Sequence, residues 1–257
     1  MAKKDTVAGT MLVALVLCIV CSVVVSAAAV LLRPQQQVNK DLDRKKNILA
    51  AAGLLEKGVP VEEQFANVST RIVDLETGRF TDAVDVDAYD QRKASKDPEL
   101  SQVLGNDEDI AKIGRKVKYA TVYLIESESG VDKVILPIKG YALWSTLYGF
   151  VALDADLNSV AGIGFYEHAE TPGLGGEIDN PLWKNKWIGK KTYDEEGRVA
   201  LSVIKGEVNS DRPDAVYQID GLSGATLTSQ GVNNLIHFWL GEEGFAPFLA
   251  NLRKGEA

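Results

Sequence analysis

A chain of 257 residues has room for one sizeable domain, or two small ones, beside a membrane segment. Its formal net charge of -8, with no basic stripe carrying interleaved aromatics, argues against a nucleic-acid partner. The 2 cysteines, Cys18 and Cys21, both fall in one apolar run, and the 2 histidines are His168 and His237. A disulfide framework is thereby excluded, and neither a zinc site nor a histidine relay is expected.

From Val7 to Leu32 no residue is charged and most are apolar. At the helical rise such a run crosses a bilayer with some tilt, so residues 7–32 are expected to form one transmembrane helix behind a cytoplasmic tail, 1–6. A cleaved signal peptide ending near Ser26-Ala27-Ala28-Ala29 is the rival reading, but the run is too long for it and continues to Leu32. Charge leaves the orientation open. Lys3 and Lys4 precede the span, while Arg33, Lys40, Arg44, Lys45 and Lys46 follow it. A literal positive-inside count puts the main domain in the cytoplasm, whereas a short basic leader before a long apolar run is the pattern of a signal anchor.

Pro34 is expected to open a short connection, followed by an amphipathic helix through Val38, Leu42 and Leu49 to about Leu55, with Gly58 and Pro60 ending it. Residues 33–115 thus read as a membrane-proximal helix and a variable α/β region, with a strand signal at Arg71-Ile72-Val73. From Lys116 the β pattern strengthens. Val117, Tyr119, Thr121 and Tyr123 alternate as on one strand face, and Val134-Ile135-Leu136 completes a hairpin after a Ser-Gly turn. Residues 147–153 and 160–166 form a second strand pair. The Asp154–Asn158 turn between them lacks the glycine and glutamate of a calcium loop.

Three glycine-bearing stretches then carry the chemistry. Gly140-Tyr141-Ala142-Leu143-Trp144-Ser145 lies between strands, where Trp144 offers a flat aromatic face. Glu167-His168-Ala169-Glu170-Thr171-Pro172-Gly173-Leu174-Gly175-Gly176 follows a strand. Ala215–Ile219 reads as a short strand, and Asp220-Gly221-Leu222-Ser223-Gly224-Ala225-Thr226-Leu227-Thr228-Ser229 follows it. Val232, Leu235, Ile236, Trp239 and Leu240 then recur at helical spacing. Thr226, Thr228 or Ser229 could each cap that helix. A strand, a glycine turn and a helix N-terminus also make an anion site, for which a phosphate is the obvious ligand. On pattern alone a capped turn and an anion site both fit. No Gly-x-Gly-x-x-Gly opens a helix after a strand, and Ser223 is not in a nucleophile elbow. A last short helix is expected from Pro247 through Leu252.

Asp-Gly-Leu-Ser-Gly-Ala-Thr, together with His-x-Glu-Thr-Pro-Gly-Leu-Gly and the Gly-x-Ala-Leu-Trp turn, resembles the FMN-binding domain family. Ala142 stands where that family has a second glycine. The resemblance implies an α+β fold: one transmembrane helix, then a mixed or antiparallel sheet with flanking helices, with the FMN-binding domain at 116–257. It implies FMN joined through its phosphate to Thr226, with Asp220, Ser223, Gly224, Ala225 and Thr228 around the acceptor and Thr171, Gly173, Leu174 and Trp144 beside the ring. It further implies a flavin transferase in maturation, and partners in a membrane respiratory complex that include a second flavin-bearing membrane subunit. The domain is expected on the periplasmic side of a bacterial inner membrane, carrying electrons for a sodium-pumping NADH:quinone oxidoreductase (a translocase using ubiquinone) without completing a catalytic cycle alone. The G subunit of the related Rnf complex is the alternative, expected to be shorter and to lack residues 177–183. A scaffold or sensor without flavin is the remaining one.

Overall fold

The computed structural model describes residues 6–128 and 130–257. The tail lysines Lys3 and Lys4, and Ser129 of the expected hairpin turn, lie outside the described residues. The chain forms two compact units, Met1–Asp43 and Arg44–Ala257.

Helix α1, Val7–Ala51, is continuous through Pro34, where the sequence suggested a break. A proline removes one amide donor but need not end a helix whose other turns are hydrogen-bonded. The first unit contains the exposed apolar stretch of α1, in which an 18-residue window has a mean hydropathy of 3.0, long and apolar enough to cross a membrane. In the second unit, α1 ends at Ala51 rather than near Leu55, because Gly53 adopts the left-handed conformation at φ 70°. The Leu54 amide then donates to the Leu49 carbonyl at 2.8 Å, closing the last turn.

The elements that follow are α2 (Val61–Phe65), β1 (Val68–Asp74), β2 (Arg79–Phe80), α3 (Gln91–Ala94), β3 (Ser101–Val103), β4 (Arg115–Val117), β5 (Tyr119–Ser127) and β6 (Gly130–Tyr141). Next come β7 (Thr146–Asp154), β8 (Val160–Glu167), α4 (Pro181–Asn185), β9 (Ser202–Val203), β10 (Gln218–Ile219), α5 (Thr226–Leu240) and α6 (Ala246–Lys254). A 6-stranded sheet has the order β2-β1-β5-β6-β7-β8, antiparallel throughout. Strand β1, from the stretch read as variable, pairs along its whole length with β5, so the sheet crosses the expected boundary at residue 116. Val117 sits on the separate β4 and does not share a face with Tyr123.

Alternation along β5 to β8 sends side chains into two cores. Val122, Leu124, Leu136, Val151 and Leu153 face α5 and α6, whose Val232, Leu235, Ile236, Trp239, Phe248 and Leu249 are buried. Fully burying each of these aliphatic or phenyl side chains contributes about 1.5–3 kcal/mol. Tyr123, Ile135, Phe150, Ala152 and Ala161 form the smaller core on the opposite face with Ile48, Ala51 and Ala52. Trp239 also donates its indole N–H to the Lys139 carbonyl at 2.7 Å, which fixes α5 against β6. This docking carries the N-terminus of α5 to the β6–β7 turn.

Candidate functional site

Three segments converge at that point. The first, Gly140–Ser145, turns from β6 into β7, with the Ala142 amide donating to the Ser145 carbonyl at 3.0 Å. The second leaves β8 at Glu167 and folds back on itself, the Leu174 and Gly176 amides donating to the Thr171 carbonyl at 3.1 and 2.9 Å. The third runs from Asp220 into α5. Ahead of it, the expected strand at 215–219 is a 3-10 turn over Pro213–Tyr217 with only β10 extended, because Pro213 favours a helical start.

Helix α5 begins at Thr226, so the position before it is Ala225, and no side chain caps it. The hydroxyl-cap expectation fails for all three candidates. Ser229 Oγ accepts instead from the Leu222 amide at 2.9 Å, pinning the turn onto the helix, and Thr228 points into the interior. Thr226, Ser223 and Gly224 are exposed, whereas Ala225 is buried. Gly224 has φ 71°, a conformation that favours glycine. A side chain there would also lie 3.0 Å from the Leu174 Cδ2, so the second and third segments touch.

Asp220 is committed internally. Its carboxylate pairs with Lys186 and accepts from the Val208 amide at 2.6 Å, and its carbonyl accepts from the Trp183 indole at 2.8 Å. Partial burial works against its charge, but Lys186 and the amide outweigh it and hold the carboxyl below the usual range. Helix α4 therefore braces the turn that starts at Asp220, and that gives the stretch at 177–183 a structural task.

The residue that sequence reasoning missed is Glu170. Only 4% exposed, it accepts from the Trp144 and Ser145 amides through Oε1, at 2.9 and 3.3 Å, and from the Thr228 hydroxyl through Oε2 at 2.6 Å. All three segments thus meet on one carboxylate. His168 does not pair with it side chain to side chain. The His168 ring bonds Asp179 at 2.8 Å through Nε2 and accepts from the Glu170 amide through Nδ1 at 3.2 Å, which places the ring proton on Nε2. A conventional surface reading of acidic residues hides Glu170. Its position one residue before a Thr-Pro-Gly turn is the available signal.

Around Thr226 the surface is apolar and open. Trp144 is 64% and Leu227 58% exposed, and Leu143 and Leu174 are also exposed. Thr171 and Gly173 lie on the exposed bend between Glu170 and Leu174. Gly231, one helical turn beyond Leu227, rests on the Ala142 backbone, where a β-carbon would come within 2.7 Å of the Ala142 Cα. The chain thus keeps close approach here by placing the glycine on α5 rather than at 142. An exposed hydroxyl, an uncapped helix N-terminus and a rim of flat and branched apolar side chains suit a ligand with a phosphate and an aromatic ring system.

The FMN-binding domain family matches residues 142–241, a span running from the β6–β7 turn to the end of α5. Curated relatives cover essentially the whole chain. The C subunit of the Na(+)-translocating NADH-quinone reductase of Pseudomonas aeruginosa is 55% identical over 261 residues, covering 100% of both chains. That of Vibrio alginolyticus is 47% identical, covering 99% of this chain and 98% of its own. Two crystal structures share the fold. NqrC of Shewanella oneidensis superposes with a TM-score of 0.75 at 34% identity, over 82% of this chain and 97% of its own. The corresponding C subunit from Parabacteroides distasonis does so with 0.65 at 27%, over 85% and 96%. The fold and site define an FMN-binding electron-transport protein with a membrane anchor. More narrowly, the chain belongs to the NqrC family, the C subunits of Na(+)-translocating NADH-quinone reductases, and is a component of an oxidoreductase complex.

Proposed function

We propose that this chain carries electrons within a sodium-pumping NADH:quinone oxidoreductase, holding FMN in phosphoester linkage to Thr226. The carrying observation is the contrast between two hydroxyls on one helical turn. Thr226 is exposed at the uncapped start of α5, whereas Thr228 has no exposed surface and is bonded to Glu170. Only the first can enter the active site of a flavin transferase. First-turn amides and the helix dipole favour the phosphate there, and the Trp144, Leu174 and Leu227 rim faces the ring.

The flavin supplies one- and two-electron transfer, and the protein's tasks are to fix its place and tune its potential. Covalent attachment fits a domain on the periplasmic side of the inner membrane, where lost FMN would not be replenished. Electrons pass to and from other subunits, a second flavin-bearing membrane subunit among them, and sodium movement belongs to those partners, because the apolar stretch of α1 has no charged residue. Full-length similarity to NqrC, with residues 177–183 bracing Asp220, supports this reading over the shorter G subunit of Rnf.

The test is ultraviolet fluorescence of the denatured band, from cells with and without the transferase. The wild-type band is expected to fluoresce only with the transferase, and Thr226→Ala to stay dark. A fluorescent Thr226→Ala band overturns the attachment site. A dark wild-type band, beside a verified transferase target, leaves a scaffold without flavin.

A further inference from the structure

We propose that Glu170 is the positioning residue of the flavin site, holding the acceptor turn and the aromatic rim in register on one buried carboxylate. This rests on the flavin reading above and says how the site is shaped. A carboxylate only accepts hydrogen bonds, and three donors reach this one: the amides of Trp144 and Ser145 and the hydroxyl of Thr228. They come from segments 26, 25 and 58 residues away, so no local turn geometry explains the convergence.

The surroundings are fitted to the carboxylate. A β-carbon on Gly175 would lie 2.5 Å from Thr228 Oγ1 and 2.8 Å from Glu170 Oε2, so only glycine leaves the bond intact. Glu170 also starts the turn that carries Thr171, Gly173 and Leu174, and Leu174 reaches Gly224 beside the acceptor. Both sides of the cofactor position are thereby tied to one point. The Trp144 amide is turned inward, which leaves the Trp144 side chain outward at the rim. Thr228 is held inward, and two residues earlier on the same helix Thr226 is left outward.

Two consequences can be measured separately. Geometry passes through the Thr228 hydroxyl, so Thr228→Val severs the tie to α5 and leaves both amide bonds, whereas Thr228→Ser restores the donor. Charge is removed by Glu170→Gln. Its oxygen can still accept from the two amides, and the Thr228 hydroxyl can turn to accept from its amide group. A buried negative charge beside a flavin disfavours adding electrons, so its removal makes the midpoint potential more positive.

The experiment uses the full chain, expressed with the transferase, following covalent fluorescence over time, thermal melting of each variant and the midpoint potential of the loaded flavin. Thr228→Val is expected to load at least about tenfold more slowly, the lower bound of what one hydrogen bond to a charged group contributes, with Thr228→Ser at the wild-type rate. Glu170→Gln is expected to load and to show the positive shift, which a residue with only a packing role would not produce. Folded variants that load at the wild-type rate and keep the wild-type potential overturn the proposal. If Glu170→Gln does not fold, the Thr228 pair decides alone. A wild-type chain that stays dark refutes the flavin reading itself, while a loaded wild type with unaltered variants refutes only the role of Glu170.

Discussion

The rim and the floor of the site are built from the same three segments yet obey opposite rules. At the rim, large apolar side chains are left in solvent: Trp144, Leu143, Leu174 and Leu227. At the floor, polar groups are taken out of it: Glu170, Thr228 and Ser229, each hydrogen-bonded. Folding alone favours neither arrangement. Large apolar side chains gathered in solvent suit a binding surface, and buried polar groups persist where every donor and acceptor is matched. The difference separates residues that await a ligand or partner from residues that hold the shape in its absence.

The comparison is broken most completely at Thr226. Thr226→Ala is expected to abolish covalent flavin while leaving the melting temperature unchanged, because an exposed hydroxyl at an uncapped position makes no contact that folding needs. Equal loss of flavin and of thermal stability would mean that Thr226 belongs to the floor.

Next in size is the floor itself. Gly175→Ala forces a β-carbon against Thr228 Oγ1 and the Glu170 carboxylate, and overpacking of this kind costs about 1–3 kcal/mol. Denaturant unfolding measures it, and a neutral result would show that the floor yields.

A smaller effect follows from His237, farther along α5, whose Nε2 is buried without a partner among the described residues. Burial lowers its pKa from 6.5, against a backbone bond at Leu201 that raises it. The folded state therefore binds the proton less readily than the unfolded chain. Its contribution to stability is fully present above the unfolded value and falls as pH drops through and below about 6.5. Melting between pH 7.5 and 5 is expected to show that fall, and His237→Gln to flatten it. An unaltered slope in the variant would assign the effect elsewhere.

The elements that carry the site are largely legible in the sequence and its floor is not. Apolar periodicity gives α5 its buried face at Val232, Leu235, Ile236 and Trp239, and alternation gives the strands β5 to β8, because both signals are local. Local pattern also misleads. Pro34 signals a break that the helix does not make, and hydroxyls at 226, 228 and 229 signal a cap that Ala225 displaces. Strand β1 shows only as the short signal at Arg71-Ile72-Val73, because its membership of the main sheet depends on a pairing partner about fifty residues later. Glu170 is hidden for the same reason. A charge in a glycine-rich loop reads as solvated unless the donors that will surround it are known, and these come from two other segments.

The mildest change expected of the site as a whole, and the sharpest probe of the rim, is Trp144→Ala. The ring is 64% exposed while the residue's amide is fixed to Glu170, so truncation removes the aromatic face and leaves the floor intact. Stability is expected to stay within about 0.5 kcal/mol. An indole lying on a flavin quenches its emission, so the loaded, folded variant should be brighter than wild type, and the two should match once denatured. A destabilised variant would place Trp144 with the floor. One equally stable and equally dim would mean that the ring faces a partner protein instead of the cofactor, and the exposed apolar rim would then be a docking surface in its own right.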